Sequence, residues 1–230
     1  MRLRNLIAAA AVAMTASSTM AASLAPYYVR GDFNGFAGTA DLMVDQGGGL
    51  FTYTVTGLTP GTSSELKATT DDWSFNAPGS NAKIPADANG EINLNFFENS
   101  SWADGWFTDS KPRLGWEDPG TFDWELIGNM NGWGGGDLLV DQGNGLHIGT
   151  FALPAGTHGW KFREQGSWDH SMGDDSGNAA ADNSLTVANA GDLWEFQLDI
   201  TNGRWKTTLV PEPASLALLG LGGLAMLRRR

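Results

Sequence analysis

The sequence predicts an all-β protein made of two β-sandwiches in tandem, and three observations carry that expectation. Its apolar runs are of strand length, and several alternate with polar residues in the way of half-buried strands. Turn signals rich in Gly, Asn, Asp and Pro recur about every 8 to 12 residues, the spacing of a sandwich, and 31 of the 230 residues are glycine. Most tellingly, one unit occurs twice. Gly31-Asp32-Phe33-Asn34-Gly35-Phe36 matches Gly128-Asn129-Met130-Asn131-Gly132-Trp133, and the run Asp41 to Leu50 matches Asp137 to Leu146. Pro60-Gly61-Thr62 answers Ala155-Gly156-Thr157, and Asp72-Trp73 answers Ser167-Trp168. The offset falls only from 97 residues at Gly31 and Gly128 to 95 at Trp73 and Trp168, so small loop deletions account for it. Two copies of one unit, each of domain size, give the organisation 1–22, 25–118, 122–209 and 210–230.

The elements follow in order. In the first copy, Tyr27 to Arg30 reads as the opening strand, Leu50 to Gly57 alternates aromatic or β-branched residues with polar ones, and Ile92 to Phe96 alternates again. Residues 99–120 are polar and turn-rich, with Trp106 matched to Trp205 and the remainder taken as linker. The second copy ends in strands Leu193 to Ile200 and Arg204 to Leu209, joined at Thr201-Asn202-Gly203, where Asn-Gly is a hairpin turn. Trp160-Lys161-Phe162-Arg163 is a strand that sets Lys161 and Arg163 opposite Trp160 and Phe162. Outside the two ends no stretch carries a helical stripe.

The ends have their own logic. Arg2 and Arg4, the short apolar run Leu6 to Met14 and the small residues up to Ala21 and Ala22 form a secretory signal helix over 1–22. At the other end, Pro211-Glu212-Pro213 precedes an apolar helix over 214–227 and the closing Arg228-Arg229-Arg230. That segment is shorter than a comfortable membrane span, about 20 residues. A motif, an apolar run and a basic tail in this order resemble the PEP-CTERM signal of Gram-negative bacteria. The resemblance implies recognition by an exosortase-type membrane enzyme, transient or anchored membrane association through 214–227, and export to the cell surface, outer membrane or extracellular matrix.

With both ends set aside, 9 of the 14 basic residues and 25 of the 26 acidic ones remain, a mature charge near −16. That balance speaks against nucleic acid and anionic lipid as partners. The sequence has no cysteine, so an exported fold must stand on its cores, for which ten tryptophans and eleven phenylalanines are available. No cofactor is implied.

Trp133 and Trp168 fall in loop-like segments flanked by Gly and Asp, with Lys161 on the strand between them. Aromatic faces suit the C–H faces of pyranose rings, and an ammonium suits their hydroxyls. This region is read as a sugar-binding face. The order Gly128, Asn131-Gly132-Trp133, Leu153-Pro154-Ala155-Gly156-Thr157, Trp160-Lys161-Phe162 and Gly166-Ser167-Trp168-Asp169 resembles the starch- and glycogen-binding modules of immunoglobulin-like fold. These occur in amylopullulanases, in starch-binding lipoproteins of gut bacteria and in AMP-activated protein kinase. The resemblance implies immunoglobulin-like sandwiches, stacking of Trp133 and Trp168 on successive glucose rings, hydroxyl bonds from Lys161, and a contributing asparagine, Asn178 or Asn183. The first copy departs from the pattern: Phe36, Lys67 and Trp73 make a weaker site or a spacer, and Lys67 stands one position out of register with Lys161.

Other residues have plainer readings. Trp160, Trp194 and Trp205 are expected in the core. The acidic turns Asp45-Gln46-Gly47, Asp87 to Glu91 and Asp174 to Asn178 lack the spacing of a calcium loop and read as Asx turns, with no metal site. A glycosidase needs two placed carboxylates, but no nucleophile elbow, zinc helix or cysteine nucleophile is present. His147, His158 and His170 are not at ligand spacing. The expectation is a non-catalytic, exported polysaccharide-binding protein. The competing expectation is a structural or adhesive matrix protein whose sandwiches are spacers, stabilised in one version by calcium.

Overall fold

The computed structural model describes residues 26–99, 106 and 111–211. The predicted signal helix over 1–22 and sorting helix over 214–227 lie outside the described residues. Those described are all-β, with the strands β1 (Tyr28–Gly31), β2 (Val44–Gly47), β3 (Leu50–Val55), β4 (Ser63–Thr69), β5 (Asn76–Pro85), β6 (Ile92–Phe97) and β7 (Arg113–Trp116) in the first repeat. The second repeat supplies β8 (Trp124–Gly128), β9 (Asp137–Leu138), β10 (Val140–Asp141), β11 (Leu146–Ala152) and β12 (Gly156–Glu164). It continues with β13 (Ser171–Met172), β14 (Asn183–Val187), β15 (Leu193–Asp199) and β16 (Arg204–Leu209). A 3₁₀ turn follows β1 at Asp32–Asn34 and another follows β8 at Asn129–Asn131.

Each repeat builds two antiparallel sheets. The first forms β1-β4-β5 and β2-β3-β6-β7; the second forms β13-β12-β8-β9, with β14 also on β12, and β10-β11-β15-β16. The chain passes back and forth between the two sheets of its own repeat, so each sheet joins consecutive strands to partners from farther along the chain, as β1 to β4, β3 to β6, β8 to β12 and β11 to β15. The repeat is thus visible in the ladders: β1 and β8, β4 and β12, β3 and β11, and β6 and β15 occupy matching places.

The expectation of two tandem immunoglobulin-like sandwiches is overturned. The four sheets are arranged as a four-bladed β-propeller. Hydrophobic alternation within one repeat sets which residues of a strand face inward; it carries no information about how sheet edges meet. Here the repeats are joined along a dense seam, and their buried residues form one hydrophobic cluster running from Tyr27 to Trp205. In the first repeat Tyr27 packs edge-on against Phe51 and Phe96, at 4.9 and 4.8 Å between ring centres. In the second, Trp160 meets Phe162 and Phe196, both at 5.1 Å.

The segment read as linker contains a strand. β7 pairs with β6 and runs against the turn before β16, where Trp116 N–H donates to Ile200 O at 3.1 Å. Leu114 N–H donates to Ser176 Oγ at 3.3 Å, and the Arg113 guanidinium to Asp174 O at 2.6 Å. Leu114 faces Phe96 across its ladder as Trp205 faces Leu198, so Leu114, not Trp106, is the counterpart of Trp205. The approach is close enough that a Cβ on Gly115 would sit 2.4 Å from Thr201 O.

Candidate functional site

The loops that carry the aromatic residues begin with a short capped turn. After β8, the Asn131 side chain accepts the Gly128 N–H at 2.8 Å and donates to Leu126 O at 3.0 Å. Trp133 N–H then returns to Gly128 O at 2.9 Å. Asn34 makes the same two kinds of bond after β1, to Gly31 N–H and Val29 O. This closed turn forces positive φ on the next two residues: Gly132 at 68° and Trp133 at 60°, Gly35 at 64° and Phe36 at 55°. Trp73 is also held at φ 61°. Glycine tolerates that region freely, whereas a bulky side chain there costs about 1–2 kcal/mol. Three of the four non-glycine residues with positive φ among the described residues are therefore predicted platform residues, the fourth being Asn144.

The structure brings Trp133 and Trp168 together. Their ring centres are 6.1 Å apart and the planes differ by 36°; Trp168 is 46% exposed and Trp133 is half-buried. Beneath Trp168 lies the Arg163 guanidinium, 4.4 Å from the ring centre. Arg163 is itself buried, and its Nε donates to Glu125 Oε1 at 2.6 Å across the β8–β12 ladder. The same carboxylate accepts the Gly136 N–H, from the loop after Trp133, and the Gly166 N–H, from the loop before Trp168, each at 3.3 Å. One buried ion pair thus ties both aromatic loops to the sheet.

Lys161 faces outward from β12 beside Arg163, with Nζ 3.4 Å from Asp182 Oδ1. Of the two asparagines, Asn178 lies by the platform: its side chain donates to Trp168 O at 3.4 Å and accepts from Ser171 Oγ. Asn183 is buried opposite Trp160 in the β12–β14 ladder. It lines a separate cleft of about 400 Å³ with Trp160, Trp205 and Lys206. The structure brings Trp133, Trp168 and Asn178 together, whereas Lys161 is paired with Asp182, which lines the same cleft as Asn183.

In the first repeat, Trp73 is 41% exposed and sits over a buried arginine, Arg30, at 4.7 Å. Arg30 donates to Gly38 O at 3.0 Å and to Asp71 O at 2.9 Å, in the loops that carry Phe36 and Trp73. Lys67 donates to Gly79 O and to the Asn76 side chain, and burial pushes its ammonium pKa down against the opposing pull of Asp175. Asp72 steadies the Trp73 loop. Bonds from the Ser74 side chain and backbone and from the Thr70 hydroxyl hold its carboxyl near a pKa of about 2.

Trp160 and Trp205 are buried and Trp194 is half-buried. The acidic turns take Asx form, with Asp45, Asp87 and Asp175 carboxylates accepting the N–H of Gly47, Asn89 and Gly177. Among the described residues, no group of three or more His, Asp or Glu is placed to hold a metal ion. Trp106 lies over Arg204 at 4.2 Å.

Residues 209–230 match the PEP-CTERM protein-sorting motif. The motif marks an exported, exosortase-processed surface protein of Gram-negative type, with the exosortase as partner at the C-terminus. It contains Pro211, Glu212, Pro213 and the arginines Arg228, Arg229 and Arg230. No curated protein matches the chain, so the likeness to starch- and glycogen-binding modules rests on the quoted residues alone. Among the described residues no helix is long and apolar enough to cross a membrane.

Proposed function

We propose that this surface protein binds a neutral polysaccharide without acting on it, through Trp133 and Trp168, and that an α-glucan-like polymer or an exopolysaccharide outside the cell is its ligand. The observation that supports this is the tryptophan pair: two adjacent indoles at the surface, one over a buried guanidinium, the other held in a strained backbone conformation. Strain of this kind persists where the surroundings impose it, and it concentrates at binding sites. An exposed aromatic pair on a rigid sheet offers stacking area with little loop ordering on binding. The mature charge near −16 favours a neutral polymer over an anionic one. Nearby carboxylates are occupied in ways that suit binding more than catalysis: Glu125 by Arg163 and Asp169 by Lys83.

The test is affinity electrophoresis of the mature chain in native gels containing amylose, glycogen or a bacterial exopolysaccharide. Retardation is expected, and Trp168→Ala is expected to abolish most of it, since loss of a stacking platform costs about 1–3 kcal/mol, a tenfold to hundredfold change. Free migration of both proteins in every gel would refute the reading.

A further inference from the structure

The two aromatic sites are connected through β5 and the hydrogen bonds that its edge makes with the second repeat. In β4, Leu66 and Ala68 are buried while Glu65 and Lys67 face out; in β5, Ala82 and Ile84 are buried while Asn81 and Lys83 face out. In β12 the inward residues are Trp160 and Phe162, and Arg163 carries Trp168 on the other side. The free edge of β5 is taken up by the second repeat. Gly79 N–H donates to Asp175 Oδ2 at 3.1 Å, Asn178 N–H to Asn81 O at 2.9 Å, and Ala179 N–H to Ser80 Oγ at 3.0 Å. That segment is fixed in turn to β13 through Ser171 Oγ and Asn178 O at 2.7 Å, and β13 pairs with β12.

One further contact joins them. Lys83, outward on β5, bonds Asp169 Oδ1 at 2.9 Å, and Asp169 directly follows Trp168. The outward side of β5 and the loop that bears Trp168 therefore meet at this bridge. Trp73 stands on the outward side of the β1-β4-β5 sheet as well, over Arg30 of β1, whose ladder partner is the outward Lys67. From Trp73 to Trp168 the path crosses β1, β4, β5 and the Lys83–Asp169 bridge, of which the β1-β4-β5 ladder alone is about 10 Å wide at the usual spacing of about 4.8 Å between strands.

We propose that Trp73 and the Trp133–Trp168 pair are two ends of a single binding face that takes one long polysaccharide strand laid across the Lys83–Asp169 bridge. The proposal rests on the polysaccharide reading above and narrows its ligand class: a polymer long enough to reach both platforms, in preference to a short oligosaccharide. Once the second-repeat platform holds the strand, engagement of Trp73 is intramolecular, and a weak contact adds affinity through effective concentration.

The experiment is calorimetric titration of the full mature chain with amylose and with maltotriose, which is too short to span the platforms, for wild type, Trp73→Ala and Trp73→Phe. Trp73→Ala is expected to weaken amylose binding about tenfold or more and by a larger factor than it weakens maltotriose binding, with Trp73→Phe between. Circular dichroism melting of each variant checks that the fold is kept. Equal weakening for both ligand lengths, or an unchanged amylose affinity in a folded Trp73→Ala protein, overturns the single-face proposal while the polysaccharide reading stands. Absence of heat with either ligand in the wild type, together with free migration in every gel, removes both.

Discussion

In the second repeat the loops that bear Trp133 and Trp168 are tied together by Glu125, whose carboxylate accepts amide hydrogens from Gly136 and Gly166. In the first, the loops that bear Phe36 and Trp73 are tied by Arg30, whose guanidinium donates to the carbonyls of Gly38 and Asp71. The two sites perform the same anchoring with opposite hydrogen-bond polarity. The guanidinium beneath the exposed tryptophan has also changed strand: Arg163 comes from β12, whereas Arg30 comes from β1. At the ladder positions of Glu125 and Arg163 the first repeat has Tyr28 and Thr69. A stacked cation under an indole is a requirement of position, and either neighbouring strand can meet it. What the first repeat lacks, among the described residues, is the close aromatic pair.

The largest expected effect comes from breaking the two anchors. Glu125→Ala strands a buried guanidinium and is expected to cost about 3–5 kcal/mol. Arg30→Ala removes a cation whose partners are mainly loop carbonyls and is expected to cost about 1–3 kcal/mol. Urea denaturation of both variants measures the difference, and equal costs would mean that the polarity of the anchor does not matter. Next comes the seam that holds the repeats in their relation. Gly115→Ala drives a methyl against the backbone of Thr201 and Gly203 and is expected to cost about 1–3 kcal/mol, lowering the melting temperature measured by calorimetry.

A smaller effect would sharpen the comparison from the binding side. Phe36→Trp gives the first repeat the loop residue of the second, and about 1 kcal/mol of added stacking would appear as several-fold tighter amylose binding by titration. Smallest is the response to acid. Asp72 and Asp169 both have lowered pKa values, Asp72 through its bonds from Ser74 and Thr70, Asp169 chiefly through Lys83. Depressed carboxyl values mean that their stabilisation is complete above about pH 4 and is lost as pH falls through the folded values toward 2. Melting temperatures between pH 5 and 2 are expected to fall, and Asp72→Asn is expected to flatten part of that fall.

What was legible in the sequence was local. The strands around Leu50, Ile92, Trp160, Leu193 and Arg204 stand within a few residues of where alternation and turns put them. The Asn-Gly loops hold Phe36 and Trp133 because the asparagine bonds close within five residues. What was not legible depends on pairing across strands. Lys67 and Lys161 are out of step when counted along the chain, yet each lies one rung past its repeat glycine's partner, Leu66 opposite Gly31 and Trp160 opposite Gly128. Glu125 and Asp182 carried no signal, because their meaning lies in the β12 residues that the ladders set beside them. The sheet arrangement is hidden from the sequence for the same reason: it is decided at the β5 edge and at β7, in contacts between residues about 60 to 110 positions apart along the chain.

The left-handed backbone at Phe36, Trp73 and Trp133 puts durability and recognition in competition. Glycine at those three positions would relieve the crowding, and it would leave the surface with nothing flat to offer a passing ligand. A protein shaped for endurance alone would have smoothed those loops away.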